Sequence, residues 1–194
     1  MELIQRCVSD VQLIEEGDPS KNYLIGIDFA KKKDETVLIV LERMSDRRLI
    51  VRHIDAWSQM NYAEQIARIG EICQRFRIIG GAADQTGVGE AVLEDLKKIA
   101  PCVTGVTFNQ KTKFELASTL RFMMEHRRLI IPDHKRLKMQ LNSVGYQVSR
   151  PGHILFQPSP NQHDDHFWAL ALAVYSSREL SPYALGGTPQ TVSR

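Results

Sequence analysis

The sequence predicts an α/β fold in which a mixed β-sheet carries helices on both faces. Apolar runs at residues 23–30, 36–41 and 49–57 follow one another with short polar connections, which is typical of an antiparallel meander. After residue 77 the pattern changes to strand, helix, strand, helix, and this indicates βαβ units with parallel strands. Residues 146–157 alternate around a Pro-Gly dipeptide, so we also expect a β-hairpin in the C-terminal half.

In the first half of the chain, turn residues and apolar spacing define the elements. The polar residues 45–48 are suited to a hairpin turn between the second and third strands. Asn61 can cap a helix whose apolar residues recur three and four apart as far as Phe76. Residues 78–84 are small and apolar except for the final aspartate, which predicts a buried strand.

In the second half, Gly87 and Gly89 lead into a helix that Pro101 ends, and glycine there permits the positive φ of a tight turn. The remaining predicted elements are a strand at 102–108, a helix capped by Asn109 or Thr112, a short strand from Leu129 to Pro132, a basic helix over 134–143, and a last helix opened by Asp164 or Asp165. Four aromatic residues within apolar patterns are expected in the core: Trp57, Phe114, Phe122 and Trp168.

The length of 194 residues fits one domain, which we place at residues 22–178, with a linker at 1–21 and a flexible tail at 179–194. No apolar run approaches the roughly 18–20 residues of a membrane span, and the charged start is unlike a signal peptide. The three cysteines form no C-x-x-C pair, which argues against a disulfide framework or zinc site and favours a reducing compartment. The net charge of +2 does not by itself indicate nucleic-acid binding.

Acidic residues stand at the ends of three predicted elements. Asp28 ends the first strand, Asp84 ends the strand at 78–84, and Asp164 and Asp165 begin the last helix. Strand ends and helix N-termini gather at one edge of such sheets, so these carboxylates should converge there. Converging carboxylates repel one another unless a cation lies between them. Carboxylates without histidine or cysteine ligands suit Mg²⁺ or Mn²⁺, and several of them suit two-metal phosphodiester hydrolysis.

Each acidic residue also has a purely structural interpretation. Asp28 could cap a turn, Asp84 could cap the helix that follows it, and Asp164 is suited to an N-cap position. Structural roles explain the residues one at a time more readily than they explain the whole set. Their common position at element ends therefore favours a metal site.

Three segments together resemble the nuclease domain of tailed-bacteriophage terminase large subunits. They are Gly26-Ile-Asp28-Phe-Ala with the lysine-rich residues that follow, Ala83-Asp84-Gln-Thr-Gly-Val-Gly89, and His163-Asp164-Asp165-His-Phe-Trp-Ala-Leu-Ala. The resemblance runs from about residue 23 to residue 177 and implies an RNase H-like fold of the RuvC type. It also implies that Asp28, Asp84, Asp164 and Asp165 bind two divalent metal ions, Mg²⁺ or Mn²⁺, and cleave double-stranded DNA.

The same resemblance implies partners that lie outside this chain. Terminase large subunits carry an ATPase motor, but the sequence has no G-x-x-x-x-G-K-[ST] loop, so residues 1–21 would be the remnant of a linker to that motor. In the family context the partners are an ATPase domain, a small terminase subunit and a portal, in the cytoplasm of an infected or lysogenic bacterial host. No membrane association is expected.

Basic residues form two candidate DNA contacts. Lys31, Lys32 and Lys33 follow Asp28 and could hold phosphates or simply form a solvated turn. The basic run that contains Arg127, Arg128, Lys135 and Arg136 could line a DNA groove or form polar helix faces. His163 could help to bind or position a metal ion or water, or could have no functional role, and Asp34 is either a loop acid or a group beside the metal rather than a ligand.

Other function classes remain open from the sequence. A junction resolvase or a transposase core has the same kind of fold and chemistry. An actin-like ATP-binding module also places Gly-x-Asp at a first strand end, although it needs a second lobe and gives the acidic pair no role. The remaining class is a docking domain without catalytic activity.

Overall fold

The first three strands form the predicted meander and the later strands add to both of its sides. The computed structural model describes residues 2–29, 35–149, 153–158 and 163–178. The strands of its main sheet are β1 (Asn22–Asp28), β2 (Thr36–Arg43), β3 (Leu49–Trp57), β4 (Ile78–Asp84), β5 (Val103–Val106) and β6 (Leu129–Ile130). Across the sheet they lie in the order β5-β4-β1-β2-β3-β6.

The helices of the described residues are α1 (Glu2–Cys7), α2 (Tyr62–Arg75), α3 (Glu90–Ile99), α4 (Gln110–Glu125), α5 (Lys135–Ser143) and α6 (Asp165–Ser176). Five of these six helices occur in the order that the sequence predicts, and the additional helix α1 precedes the first strand. The predicted hairpin is β7 (Val144–Ser149) with β8 (His153–Pro158). Asn61 and Asn109 cap α2 and α4 through capping boxes, and Gly87 and Gly89 have φ of 70° and 94°.

Strand pairing confirms the mixed sheet. The pairs β1–β2 and β2–β3 are antiparallel, whereas β1–β4, β4–β5 and β3–β6 are parallel. The side chains of β2 alternate between two cores: Val37 and Ile39 face one, and Leu38 and Val40 face the other. Helices α1, α4 and α6 cover the first face, and α2 and α3 cover the second, so the sheet is buried on both sides.

Helix α6 lies directly against β1, and Gly26 makes this contact possible. A Cβ atom at Gly26 would overlap the carbonyl oxygen of Ala169 and the backbone nitrogen of Ala173, and it would lie 2.8 Å from the Ala173 Cβ. The side chains of α6 are buried from His166 to Val174, which its alternating alanine and leucine residues permit. The acidic start of α6 is thereby fixed beside the end of β1.

Two expectations from the sequence differ from the structure. Within the segment 1–21, residues Glu2–Cys7 form a short helix with Ile4 and Cys7 buried in the core, and an isolated bridge pairs Val8 with Ile131. Phe114 and Phe122 are 39% and 50% exposed, so their assignment to the core was wrong. The buried side of α4 is formed instead by its other apolar residues: Leu116, Ala117, Leu120, Met123 and Met124. Trp57 and Trp168 are buried as predicted.

One edge of the sheet, which we call the carboxylate edge, is defined by strand ends. Asp28 pairs with Val37 near the start of β2, and Asp84 pairs with Val106 at the end of β5. The carboxyl ends of three parallel strands therefore meet there, which is where ligands bind in α/β sheets. Within the described part of the chain, every helix is too short or too polar to cross a membrane.

Candidate metal centre

Asp28 is the most enclosed carboxylate at the carboxylate edge. It ends β1 with only 9% of its surface exposed, between the antiparallel neighbour β2 and the parallel neighbour β4. No hydrogen bond from the described residues reaches its side chain. Among the described residues, Asp28 has thus lost water without gaining a hydrogen-bond partner, and this burial destabilises the fold unless a bound ligand compensates for it.

Asp84 ends the neighbouring strand and is half-buried. Its Oδ1 accepts a hydrogen bond of 2.8 Å from the backbone N–H of Thr86, so it stabilises the turn that leads towards α3. The structural interpretation of Asp84 is thus partly correct. A carboxylate has two oxygens with several lone pairs, and one backbone hydrogen bond leaves capacity to bind a cation.

The acidic pair stands at the beginning of α6. Asp164 occupies the N-cap position but makes no capping hydrogen bond, and its Oδ2 instead accepts 2.7 Å from the indole N–H of Trp168. Asp165 begins the helix with 14% of its side chain exposed, and its Oδ2 is 3.7 Å from Nδ1 of the exposed His163. Structural capping therefore does not account for Asp164.

The charge of Asp28 interacts with those of the other three aspartates. Burial raises the pKa of Asp28 well above its usual value, and the charges of Asp84, Asp165 and Asp164 raise it further, while Lys113 opposes them. Charges separated by whole-domain distances would be screened, so this coupling places all four aspartates in one region. The structure thereby brings together the residues that the sequence predicted.

The donor chemistry suits a hard divalent cation, since all four groups supply carboxylate oxygens. Among the residues that the structure describes, however, no three histidine, cysteine, aspartate or glutamate side chains form a group that could hold a metal ion as they stand. The hydrogen bonds to Asp84 and Asp164 show that these side chains also serve their local structure. The residues fit a metal ion by chemistry and location, and the side chains would have to adjust to bind it.

Lys113 is a cation at the site that the sequence analysis missed. It lies in the first turn of α4, and its Nζ is 4.8 Å from the centre of the Trp168 ring and 5.2 Å from that of Phe108. We call Phe108 and Trp168 the aromatic platform. A signal was present in the sequence, because α4 follows β5 and its N-terminus must lie near the same edge.

A pair of histidines packs behind the acidic start of α6. The ring of His166, which is 1% exposed, stacks on His134 with centroids 5.7 Å apart. Burial lowers the pKa of His166 to about 4, with further lowering from His134 and Arg136, so this ring is neutral at physiological pH. Arg136 donates from Nη1 to both carboxylate oxygens of Glu35, at 2.9 and 2.7 Å.

The predicted DNA contacts separate into two places. Lys135 and Arg136 begin α5 beside the carboxylate edge, because Arg136 pairs with Glu35 just before β2. Arg127 and Arg128 precede β6, which pairs with the opposite end of β3, so they lie about 20 Å away along the strands. Lys31, Lys32, Lys33 and Asp34 lie outside the described residues.

Comparisons with known proteins agree with this geometry. The model of the terminase RNase H-like domain family matches residues 25–176. The terminase large subunit of Thermus virus P23-45 is 29% identical over 168 residues, which cover 86% of this chain and 34% of that protein. This chain therefore spans about a third of the length of the curated relatives that it matches.

Solved structures show the same fold. The large terminase nuclease from thermophilic phage G20c, crystallised with bound magnesium, is 25% identical with a TM-score of 0.73, covering 84% of this chain and 85% of that one. The HK97 bacteriophage large terminase is 17% identical with a TM-score of 0.70, covering 89% of this chain and 42% of that one, and this likeness concerns the fold alone. Because the family model spans most of the chain, the protein belongs to the family of terminase RNase H-like domains.

Proposed function

We propose that this domain is a divalent-metal-dependent endonuclease that cuts double-stranded DNA, as the nuclease part of a terminase large subunit. The observation that supports it best is the convergence of Asp28, Asp84, Asp164 and Asp165 at one edge of an RNase H-like sheet. The solved G20c relative, which has bound magnesium, supports the choice of cation. Two ions, Mg²⁺ or Mn²⁺, are expected.

The aspartates have distinct tasks in this proposal. Asp28, the central and most buried of them, lies between the other acids and is the residue best placed to serve both ions. Asp84 on one side and the acidic pair of α6 on the other would complete the ligand set. The bound cations would supply a more acidic water for attack on the phosphodiester and stabilise charge on the phosphate and leaving oxygen.

The DNA backbone would be held by basic residues beside the same edge. Lys135 and Arg136 are placed for this role, and Lys31, Lys32 and Lys33 are expected to act with them. Arg127 and Arg128, about 20 Å away, would reach only a duplex that extends about six base pairs beyond the cut. Because phosphate contacts carry no base information, sequence preference should be weak.

The proposal extends to the larger assembly. The matched segment covers only 34% of the curated relatives, and we propose an ATPase domain, a small terminase subunit and a portal as partners in a bacterial host cytoplasm. The cutting itself should not require them, because the four aspartates belong to this domain.

Plasmid nicking tests the function directly. Supercoiled DNA should be nicked and linearised with Mg²⁺ or Mn²⁺, and a chelator should stop the reaction. Asp28→Ala and Asp84→Asn should each reduce the rate by at least about 100-fold, since each removes a ligand for the catalytic ions. Asp95→Asn, at an exposed position of α3, is the matched control. Equal rates in all three variants would refute the assignment, and activity confined to four-way junctions would favour a resolvase.

A further inference from the structure

Lys113 is held at the site by an ordered local structure. The first turn of α4 is fixed by reciprocal hydrogen bonds between Asn109 and Thr112, and the Thr112 hydroxyl also donates 2.7 Å to the carbonyl of Thr107. Lys113 follows directly and is half-buried, whereas Lys111, two residues earlier, is exposed. Residues two apart on a helix point in different directions, so only one of these lysines is directed at the platform.

The aromatic platform restrains the ammonium group. The two rings are 5.1 Å apart and tilted by 56°, and the Lys113 Nζ lies over both of them. Cation–π contacts of this length attract an ammonium without neutralising its charge. The side chain is thereby held in one direction while its N–H groups keep their ability to donate to an anion.

The platform is also connected to two of the aspartates. The Trp168 indole N–H donates to Asp164, while the Phe108 backbone N–H donates 2.7 Å to the Thr86 hydroxyl. The backbone N–H of Thr86 in turn donates to Asp84. One continuous set of contacts therefore fixes the lysine relative to carboxylates from both β4 and α6.

Lys113 forms no ion pair of its own within the described chain. The lysines that do so there are Lys21, Lys98 and Lys138, each with a surface or buried acid. Yet Lys113 is close enough to Asp28 to lower its pKa. An ammonium group that is restrained near Asp28, but forms no ion pair with the described carboxylates, has the position expected of a group that binds an anion.

We propose that Lys113 binds a phosphate of the DNA strand being cut, with Phe108 and Trp168 presenting its ammonium group to that phosphate. This inference rests on the proposed nuclease function and adds a substrate-binding residue to it. The lysine would stabilise the negative charge on the phosphate from the side of α4, beside the metal ligands.

The test compares Lys113→Gln, Lys113→Arg and the matched control Lys111→Gln. Binding of a short duplex is measured by fluorescence anisotropy at several salt concentrations, with Ca²⁺ replacing Mg²⁺ to limit cutting. Loss of one phosphate contact should reduce the slope of log affinity against log salt by about 0.9, and Lys111→Gln should leave it unchanged. In Mg²⁺, Lys113→Gln should cut about 10- to 100-fold more slowly, with partial recovery in Lys113→Arg.

Two further measurements separate this role from a structural one. Thermal unfolding with and without Mn²⁺ should show the same metal-induced stabilisation in Lys113→Gln as in the unaltered domain. If the metal-induced shift is lost while the salt slope is kept, Lys113 acts on the carboxylates and the inference is wrong. If the unaltered domain cuts DNA and Lys113→Gln matches Lys111→Gln throughout, this inference fails alone. If the unaltered domain neither binds nor cuts DNA, the proposed function fails with it.

Discussion

Replacement of Gly26 by alanine should separate α6 from β1. The new Cβ would overlap backbone atoms of Ala169 and Ala173, which cannot move away as a flexible side-chain end could. Overpacking of a core costs about 1–3 kcal/mol, and the backbone contact places this change near the upper end. For a domain of this size, each 1 kcal/mol lowers the melting temperature by about 2–4 °C, so a fall of roughly 6–12 °C is expected.

Gly70→Ala is the matched control for this experiment. Gly70 lies within α2, and a Cβ there would meet only the Ile99 Cδ1 at 3.6 Å, which is ordinary contact. Alanine is favoured over glycine inside a helix by about 0.5–1 kcal/mol, so this variant should melt slightly higher. Differential scanning calorimetry of both variants measures the contrast.

The functional part of the same experiment follows from the position of α6. Because β1 carries Asp28 and α6 carries the acidic pair, Gly26→Ala should also reduce metal-dependent DNA nicking at temperatures where the domain stays folded. Gly70→Ala should not. A Gly26→Ala variant that melts at or above the unaltered temperature would refute the close-packing argument.

Three other substitutions test the charges of the fold. Asp28→Asn should abolish nicking yet increase the stability of the domain in chelator at pH 7. Because the pKa of Asp28 is raised, the free energy of unfolding should fall as pH rises above about 4, and the variant should lack this fall. Urea unfolding from pH 4 to 8 measures it, and an unchanged pH profile would contradict the prediction. The pKa of His166 is lowered to about 4, so the free energy of unfolding should fall by up to about 3 kcal/mol as pH drops from 6.5 to 4. His166→Gln should remove this pH dependence, and an NMR titration midpoint above pH 6 for His166 would contradict the prediction. Glu42→Gln breaks the buried ion pairs of Glu42 with Lys21 (2.9 Å) and Arg52 (2.7 Å). Because both cations remain partly exposed, the free energy of unfolding, measured in urea, should fall by only about 1–3 kcal/mol. No measurable fall would mean that these ion pairs contribute little to stability.

The strand-end carboxylates could be predicted from the sequence because the end of a strand is marked by the neighbouring residues in the chain. A buried strand is visible as a short apolar run, and its end is visible as the first charged residue, as at Asp28 and Asp84. Once the strands are known to be parallel, their ends must share an edge. The placement of Asp28 and Asp84 at one edge therefore required no knowledge of packing, whereas that of Asp164 and Asp165 depends on the contact of α6 with β1.

Lys113 could not be assigned in the same way because its partners are distant in sequence. Trp168 is separated from it by more than 50 residues, and both Trp168 and Phe108 fall in patterns that indicate core packing. A lysine in the first turn of a helix has the appearance of a solvated residue. Its role depends on the contact between α4 and α6, which periodicity does not specify.

The residues of the basic run lie in two places for a geometric reason. Arg127 and Arg128 are close in sequence to Lys135 and Arg136, which suggested one groove. Helix α4 begins at the carboxylate edge and has 16 residues, so it carries the chain about 24 Å towards the other end of the sheet. Residues that follow such a helix directly lie far from its start.

The motifs that carry the family resemblance acquire a common physical meaning from the packing of α6. Gly26 stands two residues before Asp28, and the alanines of α6 follow Asp165 at positions where the helix touches β1. Small residues on both sides let the two backbones approach, and this approach brings acids from a strand and a helix into one site. The glycine and the alanines are therefore needed for the same reason as the aspartates, although none of them would touch a metal ion. Substitutions at this contact should change stability and metal binding together, whereas those at Lys113 should change DNA binding and cutting and leave metal binding unchanged.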